Sequence, residues 1–564
     1  MRTVFFPKIL ALAFFCLAAV GQSAAQDVQS AFRQKPVEFS GSIGVGAQFY
    51  GVSGVPARSV NPMWNLSGSA ALRVYGFDIP FAFTVGRQGA RADGPSFGQI
   101  GISPRYKWLT IHGGWRSLNF SSYTLAGHTF LGGGVELRPG KLRFGAVYGR
   151  FRKAREVGEV DGDPAGFYPT SYRRTGYAIK MGVGTERSYF DLLYFRAKDD
   201  VSSLVNTAGA DSLGVTPGEN AVLGYNTRVK LGRSVSFFSE GAASLYTRDR
   251  RSAEVEETNT AEAPHFFLVP KLSTRLNYAV KGGLEFTFRP LQFRIGYERI
   301  LPEFATMGAF FFANDVENIT VSPTFNLWQN KVRLSGMLGV QRNNLLNNRS
   351  ETTRRLIGNA NLSANLSQRF GFDVNYMNLA IRQRDGRVLL NDTVRVAMVT
   401  TNLSVIPRWT FTDTRSMKAL VLMGNYQQLN DRNPFTREFS DLTTWLGGAT
   451  FTQSFLQSGW NWNAGLNWNR IALSSLQTDR YGLTGGVGRT TPNGRFSYQL
   501  SGNGSLSLID AERDGSVWSG AFTLGYNPAP KHTFSLNVNV LRNVSTQFDD
   551  FTEWTGGVTY FYLL

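Results

Sequence analysis

The chain has 564 residues, and its 59 Lys and Arg against 41 Asp and Glu give a formal net charge of +18. The basic residues are scattered rather than clustered, which argues against nucleic-acid binding, and a single cysteine excludes a disulfide framework. Since no change of composition and no Pro- or Ser-rich linker follows residue 37, we expect one continuous architecture despite the length.

The N-terminus has the features of a secretory signal peptide. Arg2 and Lys8 form a basic start, an apolar run follows, and Ser23 and Ala25 supply the small residues of a cleavage site. A membrane anchor is the alternative, but the apolar run is shorter than the roughly 20 residues of a spanning helix. Cleavage after Ala25 removes Cys16, so the mature chain carries no thiol.

Beyond the signal peptide, short segments alternate apolar and polar residues up to the last residue. In residues 494–508, Phe496 and Tyr498 lie on one face of a strand, while Ser497 and Gln499 lie on the other. About 26 such segments, within a range of about 24 to 28, are long enough to cross a membrane when tilted. We therefore predict an all-β fold, a single transmembrane antiparallel β-barrel.

The connections between the segments are alternately short and long. Short ones carry Gly, Pro, Asn or Asp, as at 138–141 and 491–494, and long ones are polar. Barrels of the outer membrane have short periplasmic turns and long extracellular loops, and an even strand number leaves both termini in the periplasm. The predicted long loops include residues 152–173, 198–219, 247–273 and 300–316.

The predicted organisation thus has three parts. They are a signal peptide over residues 1–25, a short periplasmic segment over 26–36 and the barrel over 37–564.

About the first fifth of the barrel resembles a known group of proteins. Residues 101–151, GISPRYKWLTIHGGWRSLNFSSYTLAGHTFLGGGVELRPGKLRFGAVYGRF, together with the segment from Gly41 to Gly86, resemble large outer-membrane barrels of Bacteroidota. The resemblance is good over about residues 41–151 and only stylistic beyond. It implies an outer-membrane location and the barrel fold, and it implies no substrate.

Strand parity predicts which charged side chains face the lumen. A polar lumen wall with more basic than acidic side chains favours anionic or polyhydroxylated solutes. The alternative is that the charges pair between strands and only hydrate the wall. The basic candidates are Arg143, Lys180, Arg228, Lys230, Lys281, Arg294 and Arg333, and the acidic ones are Glu285 and Glu298.

Aromatic rows mark the predicted lipid-facing surface. In residues 459–469 a row of Trp alternates with a row of Asn, and the Asn side needs water or hydrogen-bond partners. The last strand is rich in aromatic residues, like the signal that the barrel-insertion machinery reads, although it ends in Leu564 rather than Phe. The expected lipid-facing aromatic residues are Trp460, Trp462, Trp468, Trp554 and Tyr560.

Chemistry-bearing motifs are scarce. The histidines, which are His112, His128, His265 and His532, lack metal-ligand spacing, although the first two lie on neighbouring predicted strands and can meet. A hydrolase would need Ser or Asp near one of them at the lumen or rim. Asp161 and Asp163 are weak calcium candidates, with a solvated loop as the alternative. We expect no cofactor and no enzyme.

The predicted width of the barrel raises the question of what narrows its lumen. A ring of 26 strands is roughly 50 Å across, too wide for side chains to fill, and residues 26–36 are too few for a plug. Inward-folded loops (152–173, 198–219 or 247–273), a flattened cross-section or a separate plug protein must narrow it.

Three functional hypotheses follow. The leading one is a porin-like outer-membrane channel. The second is a scaffold subunit of a secretion or surface-attachment assembly, and the third is an outer-membrane hydrolase. Expected contacts are outer-membrane lipid, lipopolysaccharide phosphates, the insertion machinery and a plug or loop-binding protein, with no nucleic acid.

Overall fold

The computed structural model describes residues 37–59, 61–74, 77–87, 101–158, 169–255, 268–309, 313–387, 393 and 395–564. The predicted signal peptide, the segment 26–36, Asp161, Asp163 and His265 lie outside these ranges. Within them, no helix has the length and apolar character needed to cross a membrane.

Most of the described chain is β-strand. The strands are β1 Val37–Ser53, β2 Met63–Val74, β3 Phe77–Arg87, β4 Gly101–Ile102, β5 Arg105–Tyr106, β6 Leu109–Asn119, β7 Ala126–Leu137, β8 Leu142–Arg152, β9 Arg174–Gly184, β10 Tyr189–Asp199, β11 Glu219–Lys230, β12 Val235–Thr247, β13 Thr274–Thr287, β14 Leu291–Ile300, β15 Val316–Leu327, β16 Val332–Arg342, β17 Glu351–Asn365, β18 Phe370–Asp385, β19 Ala397–Thr412, β20 Ser416–Asp431, β21 Leu442–Phe455, β22 Trp460–Leu473, β23 Gln477–Thr490, β24 Phe496–Ile509, β25 Glu512–Ala529, β26 His532–Ser545 and β27 Phe551–Leu563. A 3₁₀ turn over Val201–Ser203 and two short helices, α1 Thr207–Ser212 and α2 Arg437–Ser440, lie in the connections.

One antiparallel sheet runs through all these strands and returns to its start. Except for β4 and β5, each strand pairs with the next along the chain, and β1 pairs with β27 from Ser42 opposite Leu563 to Ser53 opposite Thr552. β4 and β5 share a single position between β3 and β6. The ring therefore has 26 positions, which confirms the predicted all-β antiparallel barrel and its strand number.

One predicted strand, over residues 97–105, is interrupted in the structure. Its described part consists of the two short strands β4 and β5, separated by Ser103 and Pro104. Pro104 has no backbone N–H to donate to the sheet, so regular pairing stops there.

The connections separate into two rims, as the alternation of short and long segments predicts. Both ends of the described chain lie at one rim, here called the terminal rim, because Ser42 pairs with Leu563. Only short connections lie there, such as 138–141, 231–234, 456–459 and 491–495. The opposite rim, here called the loop rim, carries the long connections 153–173, 200–218, 248–273 and 301–315.

Aromatic side chains form a band on the outer face near each rim. At the terminal rim, Phe496 and Tyr526 stack with ring centroids 4.5 Å apart, and the tilted rings of Phe534 and Tyr560 have centroids 4.6 Å apart. Near the loop rim, exposed tryptophans stand on the first half of their strands, among them Trp64, Trp445, Trp518 and Trp554. Two such bands bracket an apolar zone and match the two interfaces of a bilayer.

Ring closure gives a direct test. Ala47 and Val558 are paired residues of β1 and β27, and paired residues of antiparallel strands are close enough for a disulfide. In a Cys16→Ser background, the pair Ala47→Cys and Val558→Cys should cross-link on oxidation, measured as a shift in gel migration. The control pair, Ala47→Cys with Leu483→Cys on β23, should not cross-link. Absence of a cross-link between positions 47 and 558 would contradict closure of the ring.

Candidate functional site

Two connections at the loop rim fold into the barrel and fill part of its interior. They are residues 120–125, between β6 and β7, and residues 301–308, after β14; we call them the inward loops. Tyr123, Leu125 and Phe304 are at most 2% exposed. They pack in one apolar cluster with side chains from β7 to β14, which include Phe130, Val147, Phe151, Ala178, Leu193, Phe195, Val222, Ala242, Ala279 and Ile300.

The inward loops hold each other in place. The ring of Tyr123 meets that of Phe304 edge-on at 6.1 Å, and Thr306 Oγ1 donates to the carbonyl of Thr124 at 2.7 Å. The backbone N–H of Ala126 donates to the carbonyl of Gly308 at 2.9 Å. A Cβ at Gly308 would collide with the Thr124 carbonyl and crowd Leu125, so this close approach requires glycine.

Charged groups tie loop 120–125 to the opposite strands. Lys281 Nζ lies 2.8 Å from Glu240 Oε2 and donates to Ser122 Oγ at 2.7 Å. The Tyr123 hydroxyl donates to Glu298 Oε1 at 2.7 Å. Burial, followed by the hydrogen bond to Glu298, raises the pKa of Tyr123, so the hydroxyl stays protonated and remains a donor.

Loop 301–308 has a separate anchor, the fully buried Asn220 on β11. The Asn220 side chain donates to Ser244 Oγ at 2.8 Å and accepts from the N–H of Met307 at 3.0 Å. Ser244 in turn donates to the carbonyl of Ala305 at 2.6 Å. A buried amide with its partners satisfied fixes one loop position, because every alternative leaves a polar group unpaired.

Most basic residues expected in the lumen are paired with carboxylates. Arg143 makes a two-pronged contact with Asp191, at 2.7 and 2.8 Å. Arg228 and Arg294 both contact Glu285, at 2.8 and 3.6 Å. These contacts form the inter-strand pairing that was the alternative to a free basic wall.

The remaining candidates differ in their surroundings. Lys180 lies 3.9 Å from Glu136 and 4.6 Å from the Phe120 ring centroid. Glu298 binds both Tyr123 and, at 2.9 Å, Asn318. Lys230 and Arg333 are exposed, and within the described ranges neither has an ion-pair partner.

Outside the strands β7 to β14 that line this apolar core, here called the filled half, the inner wall includes a polar surface with little charge. A concave surface of about 410 Å³ lies across β22 to β27, and Glu553 is the one charged residue among those that line it. Its polar lining consists of Asn463, Thr484, Ser501, Asn503, Ser519, Asn539, Glu553 and Thr555. None of the buried apolar clusters in the described ranges includes a residue of β15 to β27. This part of the wall, here called the open half, is therefore not covered by a core.

The Asn row of β22 lies against glycines of β23. Asn463 pairs with Gly486 and Asn467 with Gly482, and a Cβ at Gly486 would lie 2.5 Å from Asn463 Oδ1. Glycine at these positions lets the amides lie along the wall rather than project from it. The open half thus presents flat hydrogen-bonding groups.

The long loops at the loop rim contact one another. Arg251 bridges Asp211 and Asp249, at 2.7 and 2.8 Å, and its hydrogen bonds lower the pKa of both carboxyl groups. Tyr172 and Leu204 share a small buried cluster there. The described parts of 152–173, 198–219 and 247–273, expected to narrow the lumen, make these contacts at the rim, whereas the filling comes from residues 120–125 and 301–308.

The aromatic candidates have different surroundings on the outer face. Trp460, Trp462 and Trp554 are 37%, 37% and 44% exposed. Trp468 is half-buried and donates to Asp479 at 3.2 Å. The Tyr560 hydroxyl lies 2.9 Å from His532 Nδ1.

The two histidines on neighbouring strands, His112 and His128, have separate partners. His112 Nδ1 lies 2.8 Å from Ser103 Oγ, and its Nε2 lies 3.5 Å from Glu136. His128 Nδ1 lies 2.7 Å from the Thr129 carbonyl. No group of three His, Cys, Asp or Glu able to hold a metal occurs among the residues that the structure covers.

Comparisons with known proteins give only distant likenesses. No protein-family model and no curated protein matches the sequence. Similar solved structures include OccK8 (OprE) of Pseudomonas aeruginosa, 10% identical with a TM-score of 0.30 over 69% of this chain and 98% of that chain. The FrpB iron transporter of Neisseria meningitidis is 9% identical, with a TM-score of 0.37 over 95% and 83%. The translocation pore of the P pilus usher PapC is 11% identical, with a TM-score of 0.34 over 93% and 99%. Sequence identities and TM-scores this low assign no function to this chain.

The contact between Tyr123 and Glu298 predicts a measurable stability loss. Tyr123→Phe removes a hydrogen bond to a charged group, which is worth about 1.5–3 kcal/mol. The free energy of unfolding in detergent should fall by about that amount. Tyr148→Phe, whose side chain is 66% exposed, is the control and should leave it unchanged; equal values for both variants would contradict the anchoring role.

Proposed function

We propose that the protein is an outer-membrane channel in which polar solutes pass along the open half of the barrel. The observation that carries the proposal is the unequal filling of the interior. Between β7 and β14 an apolar core occupies the inside, whereas the wall from β22 to β27 is polar and carries no such cover. The inward loops therefore reduce a very wide ring to a narrower passage.

The outer membrane is the location that fits the proposal. A closed barrel satisfies its backbone hydrogen bonds without water, as a lipid environment requires, and the two aromatic bands match a bilayer. In the proposed orientation the terminal rim faces the periplasm, and the loop rim faces outward among lipopolysaccharide headgroups. The predicted signal peptide supplies the route of export.

The chemistry of the wall favours neutral polyhydroxylated solutes over anions. Arg143, Arg228 and Lys281 are occupied by carboxylates, so they add little net positive field. Amide and hydroxyl groups such as those of Asn463 and Ser501 exchange hydrogen bonds with sugar hydroxyls at little cost. Transport of sugars or short glycans is the resulting proposal.

A scaffold subunit is the second candidate, and the loop rim supports it. Arg251, Asp211 and Asp249 form an ordered ionic cluster between two loops, and ordered loops suit a binding surface. A stoichiometric partner recovered in gentle detergent, seated on the loops or in the open half, would favour the scaffold. A lone conducting barrel would favour the channel.

Planar-bilayer recordings test the channel directly. The purified protein should conduct with little preference between K⁺ and Cl⁻, and replacing residues 121–124 by two glycines should raise the conductance, because the filled half then opens. Absence of conductance from both the wild-type protein and this variant would rule out the proposal.

Charge placed on the open half should change selectivity. Asn463→Asp combined with Asn503→Asp adds two carboxylates to the uncovered wall, so the K⁺/Cl⁻ permeability ratio from reversal potentials should rise several-fold. The matched control is Asn226→Asp, on β11 in the filled half, which should leave the ratio unchanged. Equal effects of both changes would show that ions do not pass along the open half.

A further inference from the structure

We propose that Ser103, His112 and Glu136 form a nucleophilic site on the inner wall that cleaves carboxylic esters of anionic polar solutes. Ser103 Oγ lies 2.8 Å from His112 Nδ1. On the other side of the ring, His112 Nε2 lies 3.5 Å from Glu136 Oε1. A hydroxyl, an imidazole and a carboxylate in line are the parts of a serine-type acyl-transfer site, which is recognised by geometry and roles rather than by chain order.

Strand register brings the three residues together. Gly101 pairs with Gly114 and Ile102 with Gly113, so the next residue, Ser103, comes opposite His112. On the other side of β6, Glu136 pairs with Thr110, two residues from His112 on the same face. Groups held on a paired sheet keep a fixed spacing, which catalysis requires.

The break between β4 and β5 exposes the serine. Regular pairing stops at Ser103 and Pro104, and the Pro104 carbonyl accepts from the N–H of Ile111 at 2.9 Å. Local irregularities of this kind often re-aim a side chain beside an active site. Here the irregularity leaves the Ser103 hydroxyl on the wall of a cavity.

The hydrogen bonds assign a role to each residue. With the imidazole proton on Nε2, toward Glu136, Nδ1 is free to accept the Ser103 hydroxyl proton. Nε2 is buried and has no hydrogen bond at the 3.5 Å separation, a distance that catalytic pairs often shorten when substrate binds. Arg138 also contacts Glu136, at 3.1 Å. Glu136 is thus a positioning residue that acts through His112.

A cavity of about 750 Å³ at the terminal rim supplies room for a substrate. Ser103 and Glu136 line it, together with the basic residues Arg105, Lys107 and Arg138 and the acidic Glu186. Because the cavity lining carries more basic than acidic side chains, it favours a substrate with an anionic group near the ester. Because Ser103 and its partners share the inner face of the sheet, the substrate is a dissolved polar ester and not a bilayer lipid.

The reaction balances without a cofactor. Ser103 Oγ forms a bond to the ester carbonyl carbon while its proton passes to His112 Nδ1. The bond from that carbon to the leaving oxygen breaks, and the leaving alcohol takes the proton. Water then attacks the acyl carbonyl carbon while its proton passes to His112 Nδ1. The bond from that carbon to Ser103 Oγ breaks, and Ser103 Oγ takes the proton back from His112 as the carboxylic acid leaves.

Covalent labelling tests the nucleophile. The folded protein in detergent should react with a fluorophosphonate probe at one site, which peptide mass spectrometry should map to Ser103. Ser103→Ala should abolish the mass increase, and Ser322→Ala, on β15 opposite Arg294, should leave it unchanged. Labelling of another residue, or none in the wild-type protein, would overturn the proposal.

Substitutions of His112 and Glu136 should each change the rate of Ser103 labelling in a characteristic way. His112→Gln should slow labelling by about 100-fold or more, the usual contribution of a general base. Glu136→Gln should also slow it, and Glu136→Asp should restore part of the rate, which a merely structural carboxylate would not. If His112→Gln fails to show the gel mobility of a folded barrel, the mapping of Ser103 in the wild-type protein still decides.

Turnover identifies the substrate class. Release of 4-nitrophenol from 4-nitrophenyl acetate should disappear in Ser103→Ala, and an anionic 4-nitrophenyl ester should react faster than the acetate. Release of fatty acid from phospholipid vesicles, without hydrolysis of dissolved esters, would overturn the proposed substrate. Conductance is measured separately, so a channel without esterase activity, or the reverse, is distinguishable.

Discussion

Closure of the sheet is the constraint on which the rest of the structure depends. Because β1 pairs with β27, the sheet returns to its start, and the paired strands satisfy their backbone hydrogen bonds within the wall. The same closure creates the difficulty that the interior must solve. A ring of 26 positions encloses far more space than its inward side chains can fill.

The chain meets this difficulty by filling one side only. The inward loops complete an apolar core against β7 to β14, and polar groups such as the buried Asn220 and the half-buried Lys281 fix where the loops sit. The charges of the filled half are satisfied internally, as Arg143 with Asp191 illustrates. The open half has charged pairs too, such as Arg408 with Asp373, but its Asn, Ser and Thr groups are not covered by a core and can bind water. The inner walls of the two halves thus differ in chemistry because they differ in their exposure to water.

The sequence alone predicts the barrel, but it does not predict which residues fill the barrel interior. Period-two alternation and turn chemistry are local, so residues such as Trp460 and Phe496 reveal strands and faces without knowledge of distant partners. The filling depends on contacts such as that of Tyr123 with Glu298, residues far apart in the chain. Residues 120–125 resemble an ordinary turn, and only Phe120, Tyr123 and Leu125 beside small polar residues hint at burial. Likewise the meeting of Ser103 with His112 needed the exact register around Pro104, which alternation alone does not give.

Solvent access to the two halves of the inner wall tests the central claim most directly. In a Cys16→Ser background, single cysteines at Asn503, in the open half, and at Val222, which is 0% exposed in the filled half, can be treated with a membrane-impermeant maleimide in proteoliposomes. The account predicts rapid modification at position 503 and almost none at position 222. Equal rates at both positions would contradict a barrel that is filled on one side and open on the other.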